Sequence, residues 1–313
     1  MFHEYRTTVA EGDQAMVYAT PECIYPITVT TGEVFNNKFG SFRHSEMIGL
    51  KYGSKMRSHD NRGFVYILHA TPALWTQVVP HRTQILYLPD ISFISLYLDL
   101  KPGKVVIESG TGSGSFSHSI ARTIAPDGHL YTFEYHEQRA KVAQEEFVQH
   151  KLADVVTAEH RDVIKNGFGK SNIADSVFLD LPAPWDAVAA AKDALRKDTI
   201  GRICSFSPCI EQVQRTALAL DELGFSDIRM FECLAKDYEV RTVPLPDIET
   251  AIGGQKVNFR LSASDRKKRR LDAQTSAVDN GSGDAKEMQV SKPVDEARGH
   301  TSYLTFAILA PSE

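Results

Sequence analysis

A glycine-rich turn between two apolar runs is the feature that most restricts the fold of this chain. The run VVIE ends at Glu108, and glycines follow at positions 110, 112 and 114 in the segment ESGTGSGS. A second apolar run, LYTFE, ends at Glu134. A strand, a tight glycine turn and a helix N-terminus are typical of an open α/β sheet, where backbone N–H groups approach a ligand closely.

The spacing of the glycines separates two classes of ligand. A dinucleotide fingerprint, G-x-G-x-x-G, would place its third glycine at position 115, but that residue is Ser115 and the glycine comes one position earlier. The pattern E-x-G-x-G-x-G instead resembles motif I of class I S-adenosylmethionine-dependent methyltransferases. Glu134 could accept hydrogen bonds from both hydroxyls of a ribose. Cofactors of both classes contain a ribose, so Glu134 does not distinguish them. The alternative is a glycine turn that binds no cofactor, but the agreement of strand, loop, helix and spaced acid favours a cofactor site.

The chain divides into regions by the period of its apolar residues. Residues 1–80 contain short apolar runs separated by turn residues, which predicts a small N-terminal β domain that is barrel-like. In residues 81–252 strands alternate with helical segments, which predicts a mainly parallel sheet with helices on both faces. Residues 253–298 are poor in large apolar side chains and predict a disordered low-complexity insertion. The run SYLTFAIL predicts that residues 299–313 return to the second domain.

Composition limits the possible functions. The formal net charge is −5, so a nucleic-acid ligand would require a local basic surface or a basic partner. No apolar run is long enough to span a membrane, and no signal-peptide core is present, so we expect no membrane partner. The four cysteines include no CxxC pair, so we expect neither a metal site nor a disulfide framework.

A second candidate site residue ends the apolar run SVFLD. Asp180 is followed by the turn LPAPW. Ligands of open α/β sheets lie beyond the carboxyl ends of the strands, so Asp180 is predicted to lie beside the cofactor pocket. In class I methyltransferases this position is motif IV, next to the methyl acceptor. DLPAPW departs from the N/D-P-P-Y/F form of amino-group methylators, which indicates another acceptor. The alternative is that Asp180 only caps the following turn.

Further segments make the resemblance specific. DLPAPW, ESGTGSGS, LPDISFISLYLDLKPG, FSPCIEQVQRT, YEVRTV, GSFRHSEMIG and WTQVVPHRTQILY together resemble the catalytic subunit of the eukaryotic tRNA (adenine(58)-N(1))-methyltransferases. The likeness covers residues 11–243 approximately and resumes at GHTSYLTFA. Protein-isoaspartate methyltransferases have a similar motif I but lack FSPCIEQVQ and PHRTQILY. The resemblance implies an α/β, Rossmann-like class I methyltransferase domain with a seven-stranded, mainly parallel sheet, and S-adenosylmethionine as the cofactor.

The resemblance also implies which residues hold the cofactor. Glu134 would accept the ribose hydroxyls, Asp162 would accept from the adenine amine, and the motif I serines would face the amino-acid part. Asp180 would face both the sulfonium and the target base, and it is the predicted catalytic residue. The implied cofactor residues are Leu86, Glu108, Gly110, Gly112, Ser113, Gly114, Ser115, Glu134, Arg139, Asp162, Val163 and Asp180. The implied RNA contacts are His44, Pro182, Pro184, Ser205, Phe206, Ser207, Pro208 and Glu211.

The expected chemistry is a direct methyl transfer. A sulfonium methyl is already activated, so alignment of acceptor, methyl and sulfur supplies much of the rate. Asp180 could hold the exocyclic amine and stabilise the positive charge that forms on the base, or it could take a proton afterwards, and the sequence does not separate these roles. Adenine N1 lies on the pairing edge, so the base must leave its stack first.

The family implies an assembly of two catalytic and two non-catalytic subunits acting on tRNA. We expect a nuclear protein, and RKKRR at 266–270 is either a localisation signal or a solvated charge run. Two alternatives are a non-catalytic RNA-binding subunit with the same fold and a protein isoaspartyl methyltransferase. A complete set of pocket residues favours the enzyme, because a non-catalytic subunit has no need of them.

Overall fold

The computed structural model describes residues 2, 5–80, 82–236, 238–244, 287–293 and 302–311. The chain forms two compact units, one made of residues 1–233 and 300–313 and the other of residues 234–299. Among the residues described, no helix combines the length and the apolar character needed to cross a membrane. The four cysteines are all free.

The N-terminal part of the first unit is built from short antiparallel strands. Strands β1, β2, β5 and β6 form one sheet in the order β2-β1-β6-β5, and β3 and β4 form a separate hairpin. Val17, Ile67 and Phe42 lie in its apolar core. Closure into a barrel stays a prediction. The elements are β1 Gln14–Thr20, β2 Cys23–Thr28, β3 Val34–Asn37, β4 Gly40–Arg43, α1 His44–Met47, β5 Lys55–Arg57, β6 Phe64–His69 and α2 Pro72–Val78.

The rest of the first unit is a seven-stranded sheet in the order β12-β15-β11-β10-β7-β8-β9. Five strands of this sheet are parallel to one another, namely β11, β10, β7, β8 and β9. Strand β15 is antiparallel to both its neighbours, β11 and β12. This arrangement confirms the predicted fold class. The elements are α3 Leu88–Tyr97, β7 Val105–Ser109, α4 Ser115–Ile124, β8 His129–Glu134, α5 Glu137–Gln149, β9 Val156–His160, α6 Val163–Asn166, β10 Ser176–Leu179, a 3-10 helix Pro184–Ala187, α7 Val188–Ala194, β11 Gly201–Ser207, α8 Ile210–Glu222, β12 Ser226–Phe231 and β15 Tyr303–Leu309.

Successive residues of the central strands are buried in two separate apolar cores. Val106 packs with residues of α3, α4 and α5, whereas its neighbour Ile107 packs with residues of α6, α7 and α8. Side chains of a strand alternate between the faces of its sheet, so helices cover both faces. This leaves the carboxyl ends of the parallel strands as the open edge where a ligand can bind.

The second unit contains a pair of antiparallel strands, β13 (Tyr238–Pro244) and β14 (Glu287–Pro293). Residues 287–293 belong to the segment predicted to be disordered, so that prediction is wrong at these seven positions. Their backbone hydrogen bonds to β13 supply the order that their few apolar side chains do not indicate. Residues 253–286 and 294–298, with the RKKRR run, lie outside the described residues.

Candidate active site

The glycine-rich loop follows β7 and leads into α4. Gly110 and Gly112 have φ angles of 97° and 55°, in the left-handed region that favours glycine. A β-carbon at Gly110 would collide with the backbone carbonyl oxygen of Asp180, and one at Gly112 would lie 2.7 Å from Thr83 Oγ1. The two positions therefore require glycine for close approach to neighbouring segments as well as for backbone conformation.

A cavity of about 550 Å³ opens beside this loop, at the carboxyl ends of the parallel strands. Its volume lies within the usual range for a small-molecule site. Eight of the twelve residues that the resemblance implies for cofactor binding line this cavity together. They are Leu86, Gly110, Gly112, Glu134, Arg139, Asp162, Val163 and Asp180.

Glu134, at the end of β8, has a carboxylate that the protein holds rigidly. Oε1 accepts from the backbone N–H of His136 at 3.0 Å and from two nitrogens of Arg139 at 2.7 and 3.1 Å. Oε2 accepts from the N–H of Gly112 at 3.0 Å. Burial alone would raise the pKa of Glu134, but the donors outweigh burial and hold this pKa below its ordinary value. Glu134 is therefore a fixed, charged acceptor, and Oε2 keeps capacity for a ligand hydroxyl.

Asp180 follows β10 and has the opposite surroundings. Its backbone N–H donates to the carbonyl oxygen of Ser109 at 2.8 Å, which fixes the main chain. No donor in the described part of the protein hydrogen-bonds to its carboxylate. Burial, with a further contribution from the negative charge of Glu134, raises the pKa of Asp180 to about 7. The carboxylate therefore has unused acceptor capacity on the cavity wall, and it does not cap the following turn.

Asp162 and Val163 form the side of the cavity near the end of β9. Asp162 is the N-cap of α6, where its Oδ1 accepts from the N–H of Lys165 at 3.2 Å. The Lys165 ammonium lies 3.5 Å from Oδ2, and the aspartate side chain is partly exposed. Val163 is buried and packs against the apolar core beneath the cavity. The pair offers a polar edge and an apolar wall side by side.

Four predicted cofactor residues do not line this cavity. Glu108 is buried and accepts from the hydroxyls of Ser117 at 2.5 Å and Thr132 at 2.7 Å. Burial raises the pKa of Glu108 to about 7. It lies instead on a smaller cavity of about 30 Å³ beside the loop, which Ser113 and Ser115 also line.

The serine hydroxyls of the loop form hydrogen bonds with residues 76–86, and neither serine lines the large cavity. Ser113 Oγ accepts from the N–H groups of Arg82 at 3.0 Å and Thr83 at 3.3 Å. Ser115 Oγ lies 2.9 Å from Thr76 Oγ1 and donates to the carbonyl oxygen of Leu86 at 3.2 Å. Gly114 is the N-cap of α4. The small cavity that Ser113 and Ser115 line shares Gly110, Gly112 and Asp180 with the large one, and the predicted contact of these serines with a ligand stays a prediction.

The predicted RNA contacts near motif IV are divided between the cavity and the surface. Pro182 and Phe206 line the cavity, and Pro182 is exposed. Pro184 is buried at the start of the 3-10 helix. Ser205 and Ser207 are buried, and their hydroxyls have no hydrogen-bond partner within the part of the chain that the structure describes. Pro208 and Glu211 are exposed near the start of α8.

His44 is buried, and its predicted contact with RNA stays a prediction. Its side chain is buried in the N-terminal β region, and Nδ1 accepts from the N–H of Thr30 at 3.1 Å. Glu33 Oε2 lies 3.9 Å from the same nitrogen. The ring therefore forms part of the internal structure of this region.

Sequence reasoning missed most of the segment that covers the glycine loop. Thr83, Gln84 and Ile85 line the large cavity beside Leu86. Arg82 donates to the carbonyl oxygen of Ser113 at 3.1 Å and to Glu146 Oε2 at 2.7 Å, which ties this segment to the loop and to α5. The available signal was the motif PHRTQILY, but nothing in its local pattern indicates that it lies over a loop 30 residues later.

The comparisons with known proteins agree with this geometry. The family described as "tRNA methyltransferase complex GCD14 subunit" matches residues 63–309. The tRNA (adenine(58)-N(1))-methyltransferase catalytic subunit of Candida albicans is 40% identical over 335 residues, covering 100% of this chain and 99% of that protein. The catalytic subunit of the same description from Dictyostelium discoideum is 41% identical over 311 residues, covering 97% of each chain.

Two solved structures are similar to this chain over nearly its full length. A SAM-dependent O-methyltransferase from Thermotoga maritima superposes with a TM-score of 0.73 at 25% identity, covering 98% of this chain and 96% of that one. The tRNA (m1A58) methyltransferase from Aquifex aeolicus has a TM-score of 0.65 at 20% identity, covering 96% of this chain and 98% of that one, a likeness of fold. The chain thus belongs to the GCD14 family of tRNA methyltransferase complex subunits, and its main domain is a class I S-adenosylmethionine-dependent methyltransferase.

Proposed function

We propose that this chain transfers a methyl group from S-adenosylmethionine to N1 of adenine 58 in tRNA, as the catalytic subunit of a complex. Relatives that bear this description match nearly the full length of the chain. The observation that carries the proposal is the Asp180 carboxylate, which lies unpartnered by described residues on the wall of the cavity at the carboxyl ends of the parallel strands. A non-catalytic subunit would have no need of such a group.

The residues present fit the cofactor. The cavity volume suits a ligand of this size, and the glycines at 110 and 112 keep one wall free of side chains. Glu134 offers a charged acceptor for a ribose diol, while Leu86 and Val163 offer apolar contact. The cofactor, when bound, supplies a methyl group on a positively charged sulfur.

The acceptor chemistry follows from what Asp180 can do. Neutral adenine has a lone pair on N1, so no proton need be removed before the methyl moves. The exocyclic amine adjacent to N1 is a donor, and Asp180 is an acceptor on the cavity wall whose carboxylate lacks a partner among the described side chains. Accepting from this amine would orient the base, and the negative charge would stabilise the cation that the base becomes. Orientation and electrostatics therefore account for the role of Asp180 without a prior proton transfer.

The opening beside Asp180 suits a base that has left its stack. Pro182 and Phe206 line the cavity there. A flat aromatic ring and a proline ring offer stacking surfaces to an extruded adenine. The turn at Pro182 is hydrogen-bonded to α8, because Gln212 Nε2 donates to the carbonyl oxygen of Pro182 at 3.0 Å.

The proposal extends to assembly and location. The net charge of −5 argues that a second, non-catalytic subunit contributes to gripping a polyanion. We propose the assembly of two catalytic and two non-catalytic subunits, and a nuclear location supported by the basic run at 266–270.

The test uses the purified chain, alone and with the second subunit, and labelled cofactor. The substrates are a tRNA transcript, the same transcript with guanosine at position 58, and an isoaspartyl peptide. We expect label only in the first substrate, in the presence of both subunits, and a primer-extension stop at position 58, because a methyl on N1 blocks base pairing. Equal labelling of both transcripts would contradict the target position, and labelling of the peptide would favour the isoaspartyl alternative.

A further inference from the structure

Two buried histidines lie at the end of the glycine loop and do not line the large cavity. His118, in the first turn of α4, has Nδ1 2.6 Å from the carbonyl oxygen of Gly114. Its other ring nitrogen, Nε2, lies 2.8 Å from Nδ1 of His150, the C-cap of α5. His118 is 0% exposed and His150 is 4% exposed. The two rings therefore form a hydrogen-bonded chain that ends on the loop.

The positions of the hydrogens in this chain follow from its last acceptor. A carbonyl oxygen only accepts, so His118 must carry its proton on Nδ1. Burial lowers the pKa of His118 to about 3 and that of His150 to about 4, so both rings are neutral at ordinary pH. Nε2 of a neutral His118 then accepts, and His150 must donate from Nδ1. A single pair of tautomers satisfies every contact.

Aromatic side chains fix both rings in place. Phe2 lies 4.8 Å from the His118 ring and 4.6 Å from the His150 ring, centroid to centroid. Trp75 of α2 lies 5.4 Å and 4.7 Å from the same two rings. These contacts restrict the rings to one orientation and keep water out. The N-terminal β region, through α2, thus contributes to the support of the loop.

The carbonyl that receives these contacts determines how the loop ends. Gly114 has a φ of 75° and is the N-cap of α4. Its carbonyl oxygen accepts from the backbone N–H of His118 at 3.1 Å as well as from the ring. Two donors from one residue fix the peptide plane between the loop and the helix. A buried polar pair costs free energy unless its hydrogen bonds are made, and an apolar core would need neither histidine.

We propose that His118 is a positioning residue for the cofactor loop, and that His150 holds it in the tautomer that donates to Gly114. The loop then has its binding conformation before the cofactor arrives, so less conformational entropy is lost on binding. This inference rests on the proposed cofactor site. It assigns a binding role to side chains that do not line the cavity.

The experiment compares His118→Leu with His118→Asn in the full chain with its second subunit. Leucine fills much of the space but removes the donor, whereas an asparagine Nδ2 can occupy the place of Nδ1. We expect S-adenosylhomocysteine affinity, measured by calorimetry, to fall about threefold to tenfold in His118→Leu and to stay within about twofold in His118→Asn. His150→Leu should give a smaller loss, because His118 keeps its donor in one of two tautomers.

A control substitution at the half-buried His129 separates positioning of the loop from the general effect of losing a hydrogen-bonded histidine. His129 begins β8 at the opposite end of the strands, and its Nε2 lies 2.8 Å from Thr157 Oγ1. His129→Leu should lower the unfolding temperature without changing cofactor affinity. The inference is overturned if His118→Leu and His118→Asn weaken binding equally, or if neither differs from His129→Leu. Absence of any binding by the unsubstituted protein would instead overturn the cofactor assignment.

A spectroscopic measurement keeps the inference testable if the variants do not fold. In the unsubstituted protein with nitrogen-15 histidine, His118 should show a protonated Nδ1 and an unprotonated Nε2 throughout pH 6–8. A proton on Nε2 at neutral pH would contradict the proposed donor to Gly114.

Discussion

Two carboxylates at the same edge of the sheet have opposite surroundings. Glu134 ends β8 and receives hydrogen bonds from Gly112, His136 and Arg139, which hold its pKa below the ordinary value. Asp180 follows β10, has no donor from the described protein, and has a pKa raised to about 7 by burial and by Glu134. A carboxylate already supplied with donors is a fixed binding group. A carboxylate that receives no hydrogen bonds from the protein can still accept them from the reacting ligand.

The largest expected effect comes from removing the unpartnered carboxylate. Asp180→Ala should lower single-turnover methyl transfer by about a thousandfold or more, because the developing positive charge on the base loses its stabilisation. Cofactor affinity should stay within about threefold. Asp180→Asn keeps an acceptor without the charge and should recover only a small part of the rate. Transfer within about threefold of the unsubstituted rate in Asp180→Ala would mean that this carboxylate is not at the acceptor.

Removing the other carboxylate should affect binding first. Glu134→Ala takes a charged acceptor from a buried ribose diol and leaves Arg139 without its partner. The expected loss of S-adenosylmethionine affinity is about 2 kcal/mol, or roughly thirtyfold, by calorimetry. Glu134→Gln is the matched control and should lose less, since the amide keeps one acceptor. An unchanged affinity in Glu134→Ala would remove this residue from the cofactor site.

The pH dependence should distinguish the two groups. The pKa of Asp180 is raised to about 7, so its charged form is lost as pH falls through 7. The kcat/KM for tRNA should therefore decrease below pH 7, approaching about tenfold per pH unit. The lowered pKa of Glu134 keeps that group charged, so cofactor affinity should change little between pH 6 and 8. A pH-independent kcat/KM in this range would contradict the assignment, and Asp180→Asn should flatten the profile.

The smallest expected effect concerns the support of Glu134. Arg139→Lys removes the two-nitrogen contact with Oε1 but keeps the positive charge. The arginine side chain is 33% exposed, so solvent weakens the ion pair, and the backbone donors remain. We expect a twofold to threefold loss of cofactor affinity by calorimetry. A loss as large as that of Glu134→Ala would show that the arginine, and not the backbone, orients this carboxylate.

The sequence predicted the parts of the fold that depend on local period. Apolar strands alternating with amphipathic helices predict a parallel sheet, and the strand ends at Glu134 and Asp180 locate its ligand edge. Both residues do line one cavity. These predictions succeed because the carboxyl ends of parallel strands share one edge, whatever the details of packing.

The hydrogen-bond partners of individual side chains could not be predicted from the sequence. Ser113 and Ser115 bond to the 82–86 segment and to α2, whose place over the loop arises from packing between distant segments. His44 is buried by contacts across its own β region. The strand at 287–293 has few apolar residues, and its order comes from backbone pairing with β13, which composition does not report.

The position of β15 has a consequence for the order of events during synthesis. Strand β15 lies between β11 and β12, yet it is translated about 70 residues after β12 ends. At roughly 5–20 residues per second, that interval lasts about 4 to 14 s. Until then β11 is an open edge and β12 has no partner in the sheet. A growing chain is therefore exposed to edge-to-edge association during this interval, and a message truncated before codon 303 would yield a protein that never closes this gap.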